Sequence, residues 1–227
     1  MNFVPMTIIP FKPVMKEGEK VDKKRRIVFI GDSITEAGRL EDQEKIGTGY
    51  VRLLHDYLQT SYPNSFEVLN KGVSGDRVID LAKRWENDVL RNNPDILSIS
   101  IGVNDVWHQL KHRDVKQVYP ADFERVYDEI LLQAKTQTNA QLVLMEPTII
   151  EEDVHSIGNQ KLMAYVEIVR HLADKYQAIL VPTHQRFMDF LATNSEYALT
   201  TDGVHMNSAG NMLIATSWLK SVRSILR

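Results

Sequence analysis

Hydrophobic positions along this chain fall into blocks. Five short apolar runs rich in β-branched residues stand at "RIVFIG" (26–31), "FEVLNKG" (66–72), "DILSISIG" (95–102), "QLVLME" (141–146) and "AILVP" (178–182). Few polar residues interrupt them, as expected of strands covered on both faces. Between the runs, apolar residues recur at helical spacing over 48–60, 77–91, 121–137, 157–176, 185–193 and 208–226, which predicts helices there. Strands separated by long helices require right-handed crossovers. The pattern therefore predicts an α/β fold of three layers, α/β/α, doubly wound around a five-stranded parallel sheet.

Residues 16–26, "KEGEKVDKKRR", carry nine charged side chains of mixed sign and read as a solvated lead-in. Residues 1–25 are thus expected to be an N-terminal arm and charged lead-in, and 26–227 a single domain. Residues 1–15 are a candidate arm for packing on a neighbouring subunit, in a homo-oligomer. With 43% hydrophobic and 25% charged residues the composition is that of an ordinary globular chain. A net charge of −3 offers no concentrated basic surface for nucleic acid or an anionic membrane, which leaves a small-molecule substrate as the expected partner. The chain has no cysteine, so thiolate nucleophiles and thiolate metal sites are excluded. "MNFVPMTIIPF" lacks a basic leader and a small-residue cleavage site, and no run is long enough to span a bilayer. A cytoplasmic location is the expectation.

In an open parallel sheet, ligands gather beyond the carboxyl ends of the strands. Polar, glycine-flanked clusters follow three of the apolar runs here: Gly31-Asp32-Ser33, "NKGVSGDR" (70–77) and "GVNDVW" (102–107). A fourth, "TTDGVHMNSAGN" (200–211), precedes the last helical stretch. Each has a modest reading of its own. Ser33-Ile34-Thr35-Glu36 fits the S-x-x-E capping box, in which Ser33 would only cap a helix. Gly75 suits a turn with positive φ, and Asn104 a turn or cap at a strand end. The histidines at 55, 112, 155, 171 and 184 show no repeated ligand spacing, so no metal is expected. Neither G-x-S-x-G nor a nucleotide-binding glycine loop occurs, and no cofactor is expected.

Taken together and in this order, the four clusters resemble the consensus blocks of the GDSL family, also called SGNH hydrolases, over nearly the whole chain after residue 25. The resemblance implies a flavodoxin-like SGNH hydrolase fold and a serine esterase. It places the nucleophile at Ser33, the acid and base at Asp202 and His205, and the oxyanion hole at Ser33, Gly75 and Asn104. Ile34 stands where the family name has leucine, and Arg77 where many members have threonine. Physical reasoning agrees with this mapping: a serine hydroxyl needs an imidazole to take its proton, and the imidazole needs a carboxylate on its other nitrogen. Asp202 and His205 are three residues apart, close enough for one turn to join them. Asp105-Val106-Trp107-His108 has the same D-x-x-H spacing and is the internal rival.

Further stretches, "GTGYV" (47–51), "RWENDV" (84–89) and "IGVNDVW" (101–107), are similar to the branch that contains acetylxylan esterases, often intracellular homo-oligomers. The implied substrate is a short-chain acyl ester, an acetylated sugar above all. A lipid-directed esterase, lysophospholipase or thioesterase and a non-catalytic carbohydrate-binding module are the alternatives. Asp32, Arg77 and Trp107 are expected at the substrate pocket: Asp32 as a loop-shaping acceptor, Arg77 at the mouth, and Trp107 either stacking on a sugar ring or closing the core. Trp85 and Trp218 fall in helical patterns and are expected to pack inside.

Overall fold

A computed structural model of the chain describes residues 23–112, 114–193 and 195–226. The expected arm lies outside them as far as residue 22. The elements run β1 (Arg25–Gly31), α1 (Ser33–Glu36), α2 (Tyr50–Ser61), β2 (Phe66–Gly72), α3 (Val78–Asp88), β3 (Ile96–Ser100), α4 (Val103–Lys111), α5 (Pro120–Gln137), β4 (Gln141–Met145), α6 (Ile157–Lys175), β5 (Ile179–Val181), α7 (Thr183–Leu191) and α8 (Ser208–Val222). The sheet has five strands in the order β2-β1-β3-β4-β5, every pairing parallel. Helices α2, α7 and α8 pack together on one face, and α3, α5 and α6 on the other. This is the three-layer doubly wound fold that the sequence predicts. Among the described residues no helix is long and apolar enough to cross a membrane.

Strand β2 departs from the expected pattern. It alternates buried and half-buried residues, whereas β1 and β3 are largely covered, because β2 is an edge strand. The sequence reading also treats Ser33–Glu36 only as the start of a longer helix and 102–107 only as a loop. The structure makes the first a single turn, α1, and the second the start of α4.

Register brings the site together. Gly31 pairs with Gly72 on one side and Ser100 on the other, so β1, β2 and β3 end at one level. The reversal of strand order falls between β1 and β3, where an open sheet leaves a crevice. A Cβ on Gly72 would lie 2.2 Å from the Glu36 backbone nitrogen, so only glycine lets α1 sit down on the end of β2. Beneath this rim, Trp218 of α8 packs against Phe29 of β1 with ring centroids 5.3 Å apart, and its Nε1 donates to Ser98 Oγ at 3.0 Å. Trp85 and Trp218 are both buried, as expected of packing residues.

Candidate active site

Ser33 opens α1 directly beyond β1, but it does not cap that helix. The cap is Asp32, whose carboxylate accepts from Ile34 N at 3.0 Å. Ser33 Oγ instead lies 3.0 Å from His205 Nε2. On the other side of that ring, Nδ1 is 2.6 Å from Asp202 Oδ2. With Nδ1–H donating to the carboxylate, Nε2 is the acceptor for the Ser33 hydroxyl proton.

Asp202 is fixed by its own loop. Its Oδ1 accepts from Val204 N at 3.0 Å and from His205 N at 2.8 Å. Partial burial raises the pKa of this carboxyl, but the hydrogen bonds from His205 and the two backbone groups outweigh that and hold it at about 2. It is therefore ionised wherever an imidazole is neutral.

Gly75 and Asn104 follow the ends of β2 and β3, the strands that pair with β1 on either side. Gly75 sits in a turn at φ +83°, a conformation that L side chains rarely adopt, with open space where a Cβ would stand. Neither its N–H nor that of Ser33 donates to another group among the described residues. Asn104 lies in the first turn of α4, buried, and its Nδ2 donates to Asp76 O at 3.0 Å, which ties the amide to the Gly75 loop.

The rival pair does not form. Asp105 is fully buried and turns its carboxylate to Val78 N, 3.2 and 3.3 Å from its two oxygens, at the start of α3. His108 stacks edge-on against His112, with centroids 5.1 Å apart.

The three residues expected at the substrate pocket are all engaged within the protein. Asp32 is 2% exposed and its carboxyl is pushed up to about 7, mainly by burial, so it shapes the serine turn and is closed to a ligand. Arg77 is half-buried and engaged, donating from Nε to Asp80 Oδ2 at 3.1 Å and from Nη1 to Lys116 O at 2.7 Å, which braces the segment after α4. Trp107 lies on α4, packs partly against the core, and carries Lys111 Nζ over its ring at 5.4 Å. The Lys111 ammonium thus stands over one face of the indole.

Sequence reasoning missed Arg84 on α3. It donates to Asp76 Oδ2 at 2.7 Å, Lys71 O at 2.7 Å, Asp88 Oδ2 at 2.7 Å and Gly31 O at 3.0 Å. One guanidinium thus joins the ends of β1 and β2 to the Gly75 loop. The "RWENDV" stretch draws attention to this position but carries no hint of those partners.

A hydroxyl, an imidazole and a carboxylate in series, on the carboxyl rim of a parallel sheet, form the arrangement by which serine hydrolases activate a hydroxyl, and comparison with known proteins narrows the class to the carboxylic ester hydrolases. Residues 29–213 match the model of the GDSL-like lipase/acylhydrolase family, and the chain belongs to that family. It is 35% identical over 211 residues to an acetylxylan esterase of Geobacillus stearothermophilus, covering 89% of this chain and 96% of the relative. The crystal structure of that acetylxylan esterase superposes with a TM-score of 0.80 over 87% of this chain and 94% of the other. A hydrolase from the metagenome of Lake Arreo, Spain, described as an α/β hydrolase, gives a TM-score of 0.80 at 32% identity, covering 89% of this chain and 96% of its own. Solved variants of the Geobacillus esterase described as catalytic replace a serine, an aspartate or a histidine by alanine.

Proposed function

We propose that the protein removes acetyl groups from short acetylated sugars, xylo-oligosaccharides above all, through an acyl-enzyme on Ser33. The observation that carries this reading is the unbroken series from Ser33 Oγ to His205, 3.0 Å, and from His205 to Asp202, 2.6 Å.

In the first half-reaction Ser33 Oγ attacks the ester carbonyl carbon while its proton passes to His205 Nε2. Asp202 stabilises the imidazolium and keeps the ring in place. The carbonyl oxygen becomes an oxyanion and takes hydrogen bonds from Ser33 N–H, Gly75 N–H and the remaining Nδ2 proton of Asn104. The tetrahedral intermediate collapses, the sugar alcohol leaves with the proton from Nε2, and Ser33 carries the acetyl group. Water then gives its proton to Nε2 and attacks the acyl carbon. Collapse returns the proton to Ser33 Oγ and releases acetate.

Two features support a bulky alcohol and a small acyl group. The relatives include an acetylxylan esterase. The side chains of His205 and Asp202 are 51% and 53% exposed, so the leaving-group side of Ser33 opens to solvent and has room for an oligosaccharide. Comparing p-nitrophenyl acetate, p-nitrophenyl octanoate and acetylated xylo-oligosaccharide tests the reading. Turnover on the acetyl compounds is expected to exceed that on octanoate by at least about tenfold in kcat/KM. Preference for octanoate would make the protein a lipid-directed esterase, and no turnover of any of the three would make it a binding protein.

A further inference from the structure

Asp202 and His205 stand on the loop between α7 and α8, and their half-exposed side chains are not held by burial. Inside the loop, Thr201 N donates to His205 O at 2.8 Å, Asn207 N donates to Leu199 O at 3.0 Å, and Thr200 bridges Met206. These bonds fix the loop's shape, but its place relative to Ser33 needs ties to the rest of the molecule.

The segment that follows β4 supplies them. Glu152 Oε1 accepts from Thr200 N at 2.6 Å and Leu199 N at 3.0 Å, and also from the Thr200 hydroxyl. Thr200 Oγ1 accepts in turn from Gly203 N at 3.1 Å, and Glu151 N donates to Gly203 O at 2.7 Å. Among the described residues no cation forms a salt bridge with Glu152. Among the described residues its carboxylate takes donors from the loop alone. The segment itself is tied to α6 by hydrogen bonds. Asn159, 2% exposed in the first turn of α6, accepts from Ile150 N at 2.9 Å and donates to Glu151 O at 3.1 Å and Asp153 O at 2.8 Å. Ser156 Oγ adds a bond to Ile150 O at 2.7 Å. Support thus runs from α6 through Glu152 and Thr200 to the turn that carries Asp202 and His205.

We propose that Glu152 is a positioning residue that sets the acid–base pair at reacting distance from Ser33. The proposal rests on the roles of Asp202 and His205 given above. Misplacing a reacting group by about an ångström costs on the order of 10²-fold in rate. Glu152→Ala is therefore expected to lower kcat on p-nitrophenyl acetate by about 10- to 100-fold with KM within about twofold of wild type. Glu152→Gln, whose amide oxygen can still accept from the Thr200 and Leu199 backbone N–H groups, should recover kcat to within about fivefold. Should the alanine variant fail to fold, Thr200→Val, which removes the relay hydroxyl, is expected to lower kcat by about fivefold or more at constant KM. An unchanged kcat in the folded alanine or valine variant overturns the proposal. So does a loss confined to KM, which would put Glu152 against substrate, and so does a glutamine variant as poor as alanine. Ser33→Ala, assayed beside them, keeps the two ideas apart: retained turnover there defeats the acid–base assignment itself, whatever Glu152 does.

Discussion

Asp105 carries a carboxyl group wholly inside the protein, with Val78 N–H as its partner at the start of α3. Burial, opposed by that N–H and by the nearby Arg77, pushes the group up to about 8; Asp32, also buried, stands at about 7. Both values lie above the unfolded value of about 4, so the unfolded chain releases these protons first as pH rises. Between about pH 4 and pH 8 the folded state binds more protons, and stability falls with rising pH across that window. The urea midpoint is therefore expected to decline from pH 5 to pH 8. Asp105→Asn keeps an acceptor for Val78 and cannot ionise, so its decline should be smaller. A wild-type midpoint that stays flat or rises over that range contradicts this account. Asp202 has the opposite sign: held at about 2, it stays ionised through ordinary assay conditions, and its contribution to stability is lost only as pH falls from about 4 through 2. Asp202→Asn should reduce kcat by about 10⁴-fold, because the amide lets the wrong imidazole tautomer form.

Helix α3 acts through Arg84, which ties the ends of β1 and β2 together and neutralises Asp76. The carbonyl of Asp76 in turn holds the Asn104 amide. Arg84→Met is expected to lower stability by about 2–3 kcal/mol, the scale of lost hydrogen bonds to a charged group, and to lower kcat as well; urea denaturation and steady-state kinetics read both. Wild-type stability would show that the guanidinium is dispensable to the rim. Helix α4 is absent from the sequence reading, although Val103, Val106, Trp107 and Leu110 follow helical spacing. The glycine and asparagine at its start read as a loop and hide that spacing. Helix α1 was not legible at its true length, since one turn has no periodicity to detect. Its S-x-x-E pattern suggests a Ser33 cap, yet Asp32 takes that role and leaves the hydroxyl for His205.

Across the whole molecule, the fold follows from apolar runs and their helical spacers, because a doubly wound sheet buries its strands and its hydrophobic runs mark them. The rim was legible for the same reason, as polar clusters that follow strands must meet there. The support behind it was not. Glu152 lies 47 residues from Leu199, and a carboxylate that gathers loop donors leaves no local pattern. Nor were the partners of Asp32, Arg77 and Trp107 legible: Asp32 is the buried, loop-shaping acceptor expected, while Arg77 and Trp107 engage Lys116 O and the Lys111 ammonium, contacts that no local pattern marks. The central claim is that Ser33 carries the acyl group, and its most direct test is the kcat/KM of Ser33→Ala on acetylated xylo-oligosaccharide with the fold checked by its melting curve. A fall of at least about 10⁴-fold with wild-type melting is expected. Turnover near the wild-type rate in that variant would contradict the account.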